Sequence, residues 1–274
     1  MEQQVKQVPY GVADFATVMT QDLYYVDKTM FLPELEKQPR NLFFIRPRRF
    51  GKSIFLSMLY SYYDCNQKSI FDTLFGNLWI GSHPTPLQGK YQVLFLDFSQ
   101  ITGKIDVLEE RFNAYMSINL DAFVRKYADY YKEEKEEILS KTEYADKIEL
   151  LFKAAKAHGY ALYLIIDEYD NFTNVVLNEH GERVYHAITH ADGFYRDVFK
   201  KFKGNFERIF MMGVSPVTLD DVTSGYNVGW NISVKPEFNE MLGFSTKDVV
   251  EMFTYYKQVG SIPADSDVMS IVDE

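Results

Sequence analysis

Four short apolar runs, separated by stretches with helical periodicity, are the feature of this 274-residue sequence that most constrains its fold. They lie at 41–45, 93–97, 161–166 and 208–214. Apolar runs that do not alternate with polar residues are typical of strands buried on both faces, as in a parallel sheet. Strands that alternate with helices predict one parallel sheet covered by helices on both faces. We therefore expect an α/β fold.

The stretches between and after the apolar runs predict helices and a division of the chain. Apolar residues at helical spacing predict helices near 30–36, 51–64, 106–131, 145–157, 182–203 and 245–257. Ser245 is the expected N-cap of the last one. We expect an N-terminal segment at 1–40 that packs on the core, the core itself at 41–235, and the start of a truncated helical lid at 236–274.

The charge of the chain argues against nucleic acid as a general partner. The formal net charge is −10, whereas non-specific binding to DNA or RNA depends on basic surface that displaces counterions. Positive charge is concentrated instead in one small cluster, formed by Arg46, Arg48, Arg49 and Lys52. Such a cluster suits a single polyphosphate better than a long polymer.

The sequence also predicts a location in the cytoplasm. Cys65 is the single cysteine, so no intrachain disulfide can form, and the N-terminus lacks the charged and then apolar pattern of a secretion signal. No apolar run reaches the roughly 18 to 20 residues that a membrane-spanning helix requires. We expect no membrane-spanning segment, while peripheral association stays open.

A basic loop between the first apolar run and the next helix resembles a phosphate-binding loop. That motif requires Gly, four residues and then Gly-Lys-Ser/Thr, because backbone N–H groups and a helix N-terminus surround the phosphate. The residues here are Arg46, Pro47, Arg48, Arg49, Phe50, Gly51, Lys52, Ser53 and Ile54, so the first Gly is replaced by Arg46. Lys52 would reach the β- and γ-phosphates, and Ser53 would coordinate Mg²⁺. The alternative is a Gly-capped turn with a solvated lysine.

Two adjacent carboxylates, Asp167 and Glu168, end the most apolar run of the sequence. The carboxyl ends of strands form the edge at which α/β sheets hold ligands. Asp167 would hold the hydrated Mg²⁺, and Glu168 would accept a proton from, or orient, the water that attacks the γ-phosphate. The alternative is a solvated acidic loop.

Ser215 follows the fourth apolar run and would place a hydroxyl beside the γ-phosphate as a sensor of its presence. The alternative is an ordinary turn, because Ser-Pro often ends a strand. Other sites find little support: the histidines lack the Cys or carboxylate spacing of a zinc site, and His186 and His190 fit a helix-surface pair. Cys65 has no activating partner in sequence and fits a small core residue.

Together these segments resemble a known family, the bacterial AAA-ATPase-like proteins. The matching segments are Phe-Ile-Arg-Pro-Arg-Arg-Phe-Gly-Lys-Ser at 44–53, Leu-Phe-Leu-Asp-Phe-Ser at 94–99, Ile-Ile-Asp-Glu-Tyr-Asp at 165–170 and Gly-Val-Ser-Pro at 213–216. Residues 10–11, 25–29 and 219–225 are similar to that family as well. In these proteins the loop usually has this form, so the missing first Gly is similar to the family norm.

The resemblance implies a P-loop NTPase core of the AAA type with a five-stranded parallel sheet, and it implies ATP binding. Family members usually continue through a helical lid into a domain like the PD-(D/E)XK nucleases, which this chain does not reach. A homo-oligomer is one expectation, and Arg196 and Arg208 are the candidates for an arginine supplied to a neighbouring subunit.

Three functions follow from these observations. The leading hypothesis is a domain that binds ATP with Mg²⁺, hydrolyses it and drives a C-terminal effector. The second is a nucleotide-dependent switch or assembly module that holds ATP without turnover. The third is an adaptor that has lost its nucleotide and uses Arg46, Arg48 and Arg49 to bind an acidic partner.

Overall fold

The fold is built on one parallel sheet in a computed structural model that describes residues 5–102, 104–189, 194–215 and 229–267. The strands are β1 (Asn41–Ile45), β2 (Gln92–Asp97), β3 (Leu162–Asp167), β4 (Arg208–Gly213) and β5 (Trp230–Asn231). They lie in the order β2-β3-β4-β1-β5, and every pairing is parallel. This confirms the α/β class and the five-stranded parallel sheet.

Helices of the described segments connect β1 to β2, β2 to β3 and β3 to β4, two more precede β1, and one follows β5. Their bounds are α1 Phe15–Thr20, α2 Leu32–Glu36, α3 Lys52–Tyr63, α4 Phe71–Phe75, α5 Trp79–Ser82, α6 Leu108–Lys126, α7 Lys135–Ser140, α8 Tyr144–His158, α9 Asn171–His180, α10 Glu182–Thr189, α11 Phe194–Phe202 and α12 Thr246–Gln258. Within the described ranges, no helix is long and apolar enough to cross a lipid bilayer.

The sheet separates two hydrophobic cores, as expected for a parallel sheet with helices on both faces. Along β3 the side chains alternate: Leu164 and Ile166 belong to the core that contains α6, α8 and α11, whereas Tyr163 and Ile165 belong to the core that contains α3. All of β3 is buried. Burying one such aliphatic side chain contributes about 1.5–3 kcal/mol, so β3 is central to stability.

Two predicted helices differ from the structure in extent. The helix expected over 182–203 is two helices, since α10 ends at Thr189 and α11 begins at Phe194, with 190–193 outside the described residues. The helix expected over 106–131 ends at Lys126. Tyr127 then leaves helical geometry, and its hydroxyl accepts a hydrogen bond from the backbone N–H of Val93 in β2. Tyr127 thus contacts β2 at the point where the helix ends.

The N-terminal residues and the residues before α12 share one core with the sheet. Phe15 of α1, Leu32 of α2 and Met241 are buried in the same cluster as Phe44 of β1. Ser245 caps α12 as predicted, and its side chain and that of Asp248 each accept a hydrogen bond from the other's backbone N–H. Residues that precede β1 and residues that follow β5 thus share the core that contains β1.

Candidate functional site

The carboxyl ends of three neighbouring strands bring the sequence-predicted residues to one edge of the sheet. The loop 46–51 follows β1, Asp167 is the last residue of β3, and Ser215 lies two residues beyond the end of β4. β4 lies between the other two strands. A ligand that contacts all three segments would therefore cross the end of β4.

The loop after β1 has the backbone geometry of an anion site. Gly51 has φ +80° and is the N-cap of α3, while Arg49 has φ +69° without being glycine. The backbone N–H groups of Gly51, Lys52 and Ser53 donate no hydrogen bond within the described part of the chain. Free N–H groups at a helix N-terminus, together with the helix dipole, attract phosphate.

Lys52 lies under this loop with only 7% of its surface exposed. Its Nζ donates to the carbonyl oxygens of Arg46 at 3.2 Å and Pro47 at 3.1 Å. Burial lowers the pKa of Lys52, and the carboxylates of Asp167 and Glu168 oppose that shift. A buried ammonium group held mainly by backbone carbonyls favours an anionic ligand, which would supply the missing negative charge.

Ser53 and Asp167 form the contact that joins α3 to β3. The hydroxyl of Ser53 donates to Oδ2 of Asp167 at 2.7 Å, and Oδ1 of Asp167 accepts from the backbone N–H of Glu168 at 2.9 Å. Asp167 is 5% exposed, and burial raises its pKa. A bound divalent cation would offset this effect of burial.

The donor set around Ser53 fits Mg²⁺. Within the described residues, no three His, Cys, Asp or Glu side chains lie close enough to hold a metal by themselves. Mg²⁺ usually takes one or two carboxylate or hydroxyl oxygens from the protein and the remaining ligands from water and substrate phosphates. The hydroxyl and carboxylate present here match that requirement, whereas a zinc site finds no support in these residues.

Glu168 has an unusual backbone conformation for a residue with a side chain. Its φ is +49°, and this conformation is held because its carbonyl oxygen accepts from the N–H of Asn171 at 3.0 Å. Burial and, next, the charge of Asp167 raise the pKa of Glu168. Strain at a half-buried carboxylate is a feature found preferentially at functional sites.

Ser215 lies at the same edge and its backbone is tightly held. Its N–H donates to Oδ2 of Asp170 at 2.5 Å, and its carbonyl oxygen accepts from the hydroxyl of Tyr169 at 2.6 Å. Pro216 and the segment 219–225, which also entered the sequence predictions, lie outside the described residues. So does His190, the expected partner of His186.

The arginines of the loop do not share one orientation. The guanidinium of Arg46 lies 4.1 Å from the ring centre of Phe44 and donates to the carbonyl oxygens of Ile45 and Ser233 at 2.9 and 3.0 Å. It therefore faces the β5 side of the loop. Arg48 and Arg49 are exposed. Of the two candidates for an intersubunit arginine, Arg208 begins β4 at the opposite edge and donates to the carbonyl oxygen of Glu36 at 2.8 Å.

A cavity of 510 Å³ beside the loop is the part of the site that sequence reasoning missed. It is lined by residues from four separated segments, at 8–12, 24–28, 49–55 and 241–252, including Val8, Tyr24, Tyr25, Lys28, Phe50, Gly51, Ile54, Leu242, Phe244 and Met252. The backbone N–H of Gly243 donates to the carbonyl oxygen of Phe50 at 3.1 Å, which attaches the last segment to the loop. The one available signal was the family-like segment 25–29, to which no chemistry could be assigned.

Two comparisons with known proteins bear on the family of this chain. A family model described as "Predicted AAA-ATPase" matches residues 9–223. A protein from Azotobacter chroococcum mcd 1, named "Uncharacterized protein in vnfD 5'region", is 27% identical over 253 residues, which are 90% of this chain and 45% of that protein. The chain thus spans less than half the length of this relative.

Proposed function

Because this chain belongs to the family of predicted AAA-ATPases, we propose that it binds ATP together with Mg²⁺ and hydrolyses it. The observation that carries the proposal is the 2.7 Å hydrogen bond between Ser53 and Asp167. It joins the start of the phosphate-loop helix to the carboxylate at the end of β3, across the width of β4. A hydroxyl and a carboxylate on these two elements are what a nucleotide-bound Mg²⁺ requires.

The phosphates would lie at the N-terminus of α3. The free N–H groups of Gly51, Lys52 and Ser53 would donate to them, and the ammonium group of Lys52 would exchange its carbonyl partners for phosphate oxygens. The loop around them would be completed by Pro47, Arg48, Arg49, Phe50 and Ile54, and Arg46 would support it from the β5 side. Negative charge from phosphate stabilises the buried charge of Lys52.

Ser53 and Asp167 would hold the metal. When bound, Mg²⁺ neutralises charge that develops on the phosphate oxygens during transfer. Glu168 would accept a proton from the attacking water or orient it. Ser215 would contact the γ-phosphate from the end of β4.

The apolar cavity beside Phe50 would take the base of the nucleotide. Its 510 Å³ is within the range of small-molecule sites, and it opens next to Gly51, where the phosphates would begin. Aromatic side chains such as Tyr24 and Phe50 suit the flat apolar faces of a purine. This arrangement would explain why residues before the loop and residues after the core share one surface.

A second function, a nucleotide switch without turnover, is favoured by one observation. The hydrogen bond from Gly243 to Phe50 attaches the loop to the segment before α12. Nucleotide binding at the loop would therefore also move or stabilise that segment.

Under both functions we propose the division into 1–40, 41–235 and 236–274. A homo-oligomer and a C-terminal effector domain in longer relatives also stay proposals.

Calorimetric titration of ATP and ADP with Mg²⁺ tests the binding step. Wild type should bind both saturably, and Lys52→Ala should weaken binding by at least tenfold, since a charge-assisted phosphate contact contributes about 1.5–3 kcal/mol. Equal affinity in the variant would contradict the phosphate site. Absence of binding in the wild type would favour the acidic-partner adaptor.

Turnover separates the enzyme from the switch. Glu168→Gln keeps the shape of the side chain and removes its basicity, so it should bind ATP like wild type and lose roughly 10²–10⁴-fold in kcat. Phosphate release by both proteins is the measurement. Equal, negligible rates would favour the switch.

A further inference from the structure

Asp170 is a deeply buried carboxylate for which the proposed reaction has no use. It is 1% exposed. Its Oδ2 accepts from the backbone N–H groups of Val214 at 3.0 Å and Ser215 at 2.5 Å, and from Nδ2 of Asn174 at 3.0 Å. No Lys or Arg forms an ion pair with it in the part of the chain that the structure describes. The hydrogen-bond partners of this buried carboxylate are therefore the N–H groups at the end of β4 and the amide of Asn174.

Tyr169 holds the same segment from its other side. Its backbone N–H donates to the carbonyl oxygen of Met212 at 3.2 Å, and its hydroxyl donates to the carbonyl oxygen of Ser215 at 2.6 Å. The N–H and the C=O of Ser215 are thus bonded to two consecutive residues, Asp170 and Tyr169. We call these two residues the 169–170 clamp.

Gly213 shows how closely the clamp approaches β4. A Cβ atom at this position would lie 2.5 Å from Cε1 of Tyr169 and 2.6 Å from Oδ1 of Asp170. Glycine is therefore required at 213 for the clamp to close, and the Gly-Val-Ser segment is matched to the Tyr-Asp segment.

The clamp directly follows Glu168, whose left-handed backbone is also fixed. Asn171 donates its N–H to the carbonyl oxygen of Glu168. The hydroxyl of Tyr195 donates to the carbonyl oxygen of Tyr169. The loops after β3 and β4 are therefore joined at several points, so Glu168 and Ser215 form one unit.

From these contacts we infer that Tyr169 and Asp170 are positioning residues that hold Ser215 in register with Glu168, and so let the site distinguish nucleoside triphosphate from diphosphate. The inference rests on the proposed function, in which Ser215 contacts the γ-phosphate. A triphosphate loses that contact when the clamp opens. A diphosphate has no γ-phosphate, so its affinity does not depend on the clamp.

The test compares the affinities of ADP and a non-hydrolysable ATP analogue, with Mg²⁺, by calorimetry. Asp170→Ala should lose roughly tenfold of the preference for the triphosphate, while ADP affinity stays within about twofold of wild type. Asp170→Asn keeps an oxygen for the N–H groups of Val214 and Ser215 and should restore most of the preference. Tyr169→Phe removes one hydrogen bond and should lose about two- to fivefold.

Two control variants remove the same groups from buried positions elsewhere in the core. Asp64→Ala removes a carboxylate that accepts from the N–H of Asn66 and pairs with Lys126, and Tyr127→Phe removes the hydroxyl that accepts from Val93. Both should lower the melting temperature and leave the triphosphate preference unchanged. If Asp170→Ala does not fold, the comparison of Tyr169→Phe with Tyr127→Phe decides.

The inference would be overturned, with the proposed function intact, if the clamp variants kept the triphosphate preference of wild type or if the controls lost as much of it as the clamp variants do. A wild type that binds neither nucleotide, or a Lys52→Ala variant that binds as well as wild type, would remove the proposed function and the inference with it. Equal affinity of the wild type for ADP and the triphosphate would mean that there is no preference for the clamp to produce, and would also overturn the inference.

Discussion

At the scale of single residues, backbone strain is concentrated at the candidate site. Among the described residues, positive φ occurs without glycine at Asp22, Arg49 and Glu168. Two of these three lie in the loop after β1 and at the end of β3. Each such residue costs about 1–3 kcal/mol, which is retained only where the surroundings impose it. Strain at these two positions therefore lowers the stability of the fold, and the surrounding contacts keep the backbone of the site in one geometry.

Gly213→Ala tests whether the close approach at the end of β4 is needed. The added Cβ would overlap the ring of Tyr169, so we expect a loss of about 1–3 kcal/mol in the free energy of unfolding. Affinity for the triphosphate should fall as well, while affinity for ADP should stay near that of wild type. Gly159→Ala is the control: it adds Cβ at the end of α8, where φ is +72° and space is open. It should cost about 1 kcal/mol in urea unfolding and leave affinity unchanged.

At the scale of elements, α12 differs from the helices of the core. None of its residues is fully buried. It is held instead by its capping box, by the ion pair of Lys28 with Asp248 at 2.6 Å, and by the ring of Tyr24, which lies 5.4 Å from that of Tyr255. Its position beside the cavity thus depends on polar and aromatic contacts with the N-terminal segment.

Ser245→Ala should loosen α12 without unfolding the core. Loss of the N-cap costs about 1 kcal/mol, because the N–H of Asp248 loses its acceptor. Hydrogen exchange should rise in the first turn of α12 and stay unchanged in β3. Thr246→Ala, one residue further along, keeps the cap and should behave like wild type. Faster exchange in β3 would mean that α12 is part of the cooperative core.

At the scale of the whole molecule, the two ends of the described chain meet beside the cavity. The backbone N–H of Lys6 donates to the hydroxyl of Tyr255, and the hydroxyl of Tyr256 donates to the carbonyl oxygen of Lys6, both at 2.9 Å. Lys28 and Asp248 join the same two segments. A ligand in the cavity would therefore stabilise both ends of the chain at once.

The ion pair between these ends should depend on pH. Burial alone would raise the pKa of Asp248, but hydrogen bonds from Lys28 and Ser245 lower it below 3.8. A carboxylate whose pKa is lower in the folded state stabilises above its unfolded pKa, and this contribution is lost as pH falls through the folded value. Asp248→Asn should thus be less stable than wild type at pH 7.

The same comparison repeated in acid completes the test. The difference in unfolding free energy between wild type and Asp248→Asn should shrink as the pH falls below 3.8. Asp22→Asn provides the matched control, because Asp22 pairs with Lys6 in a pair that is far more exposed, and it should change little at any pH. A constant difference across the range would show that the charge of Asp248 does not stabilise α12.

Four strands could be predicted from the sequence because each is a run of apolar residues whose burial does not depend on its partner. β5 could not, because Trp230 and Asn231 lack such a pattern and form a strand only beside Leu42 and Phe43 of β1. Helix α9 was missed as well. It begins at Asn171, directly after the family-like segment 165–170.

The sequence by itself determined the α/β class, the family, and the segments that could supply phosphate and metal ligands, since strand burial and loop motifs are local properties. Tertiary structure decided which segments meet. The order of the strands brings Ser53 to Asp167. The cavity beside Phe50 forms only where residues near both ends of the described chain pack together. The approach of β4 to β3 lets Asp170 hold Ser215. These contacts join residues far apart in the chain, so a local sequence pattern cannot predict them.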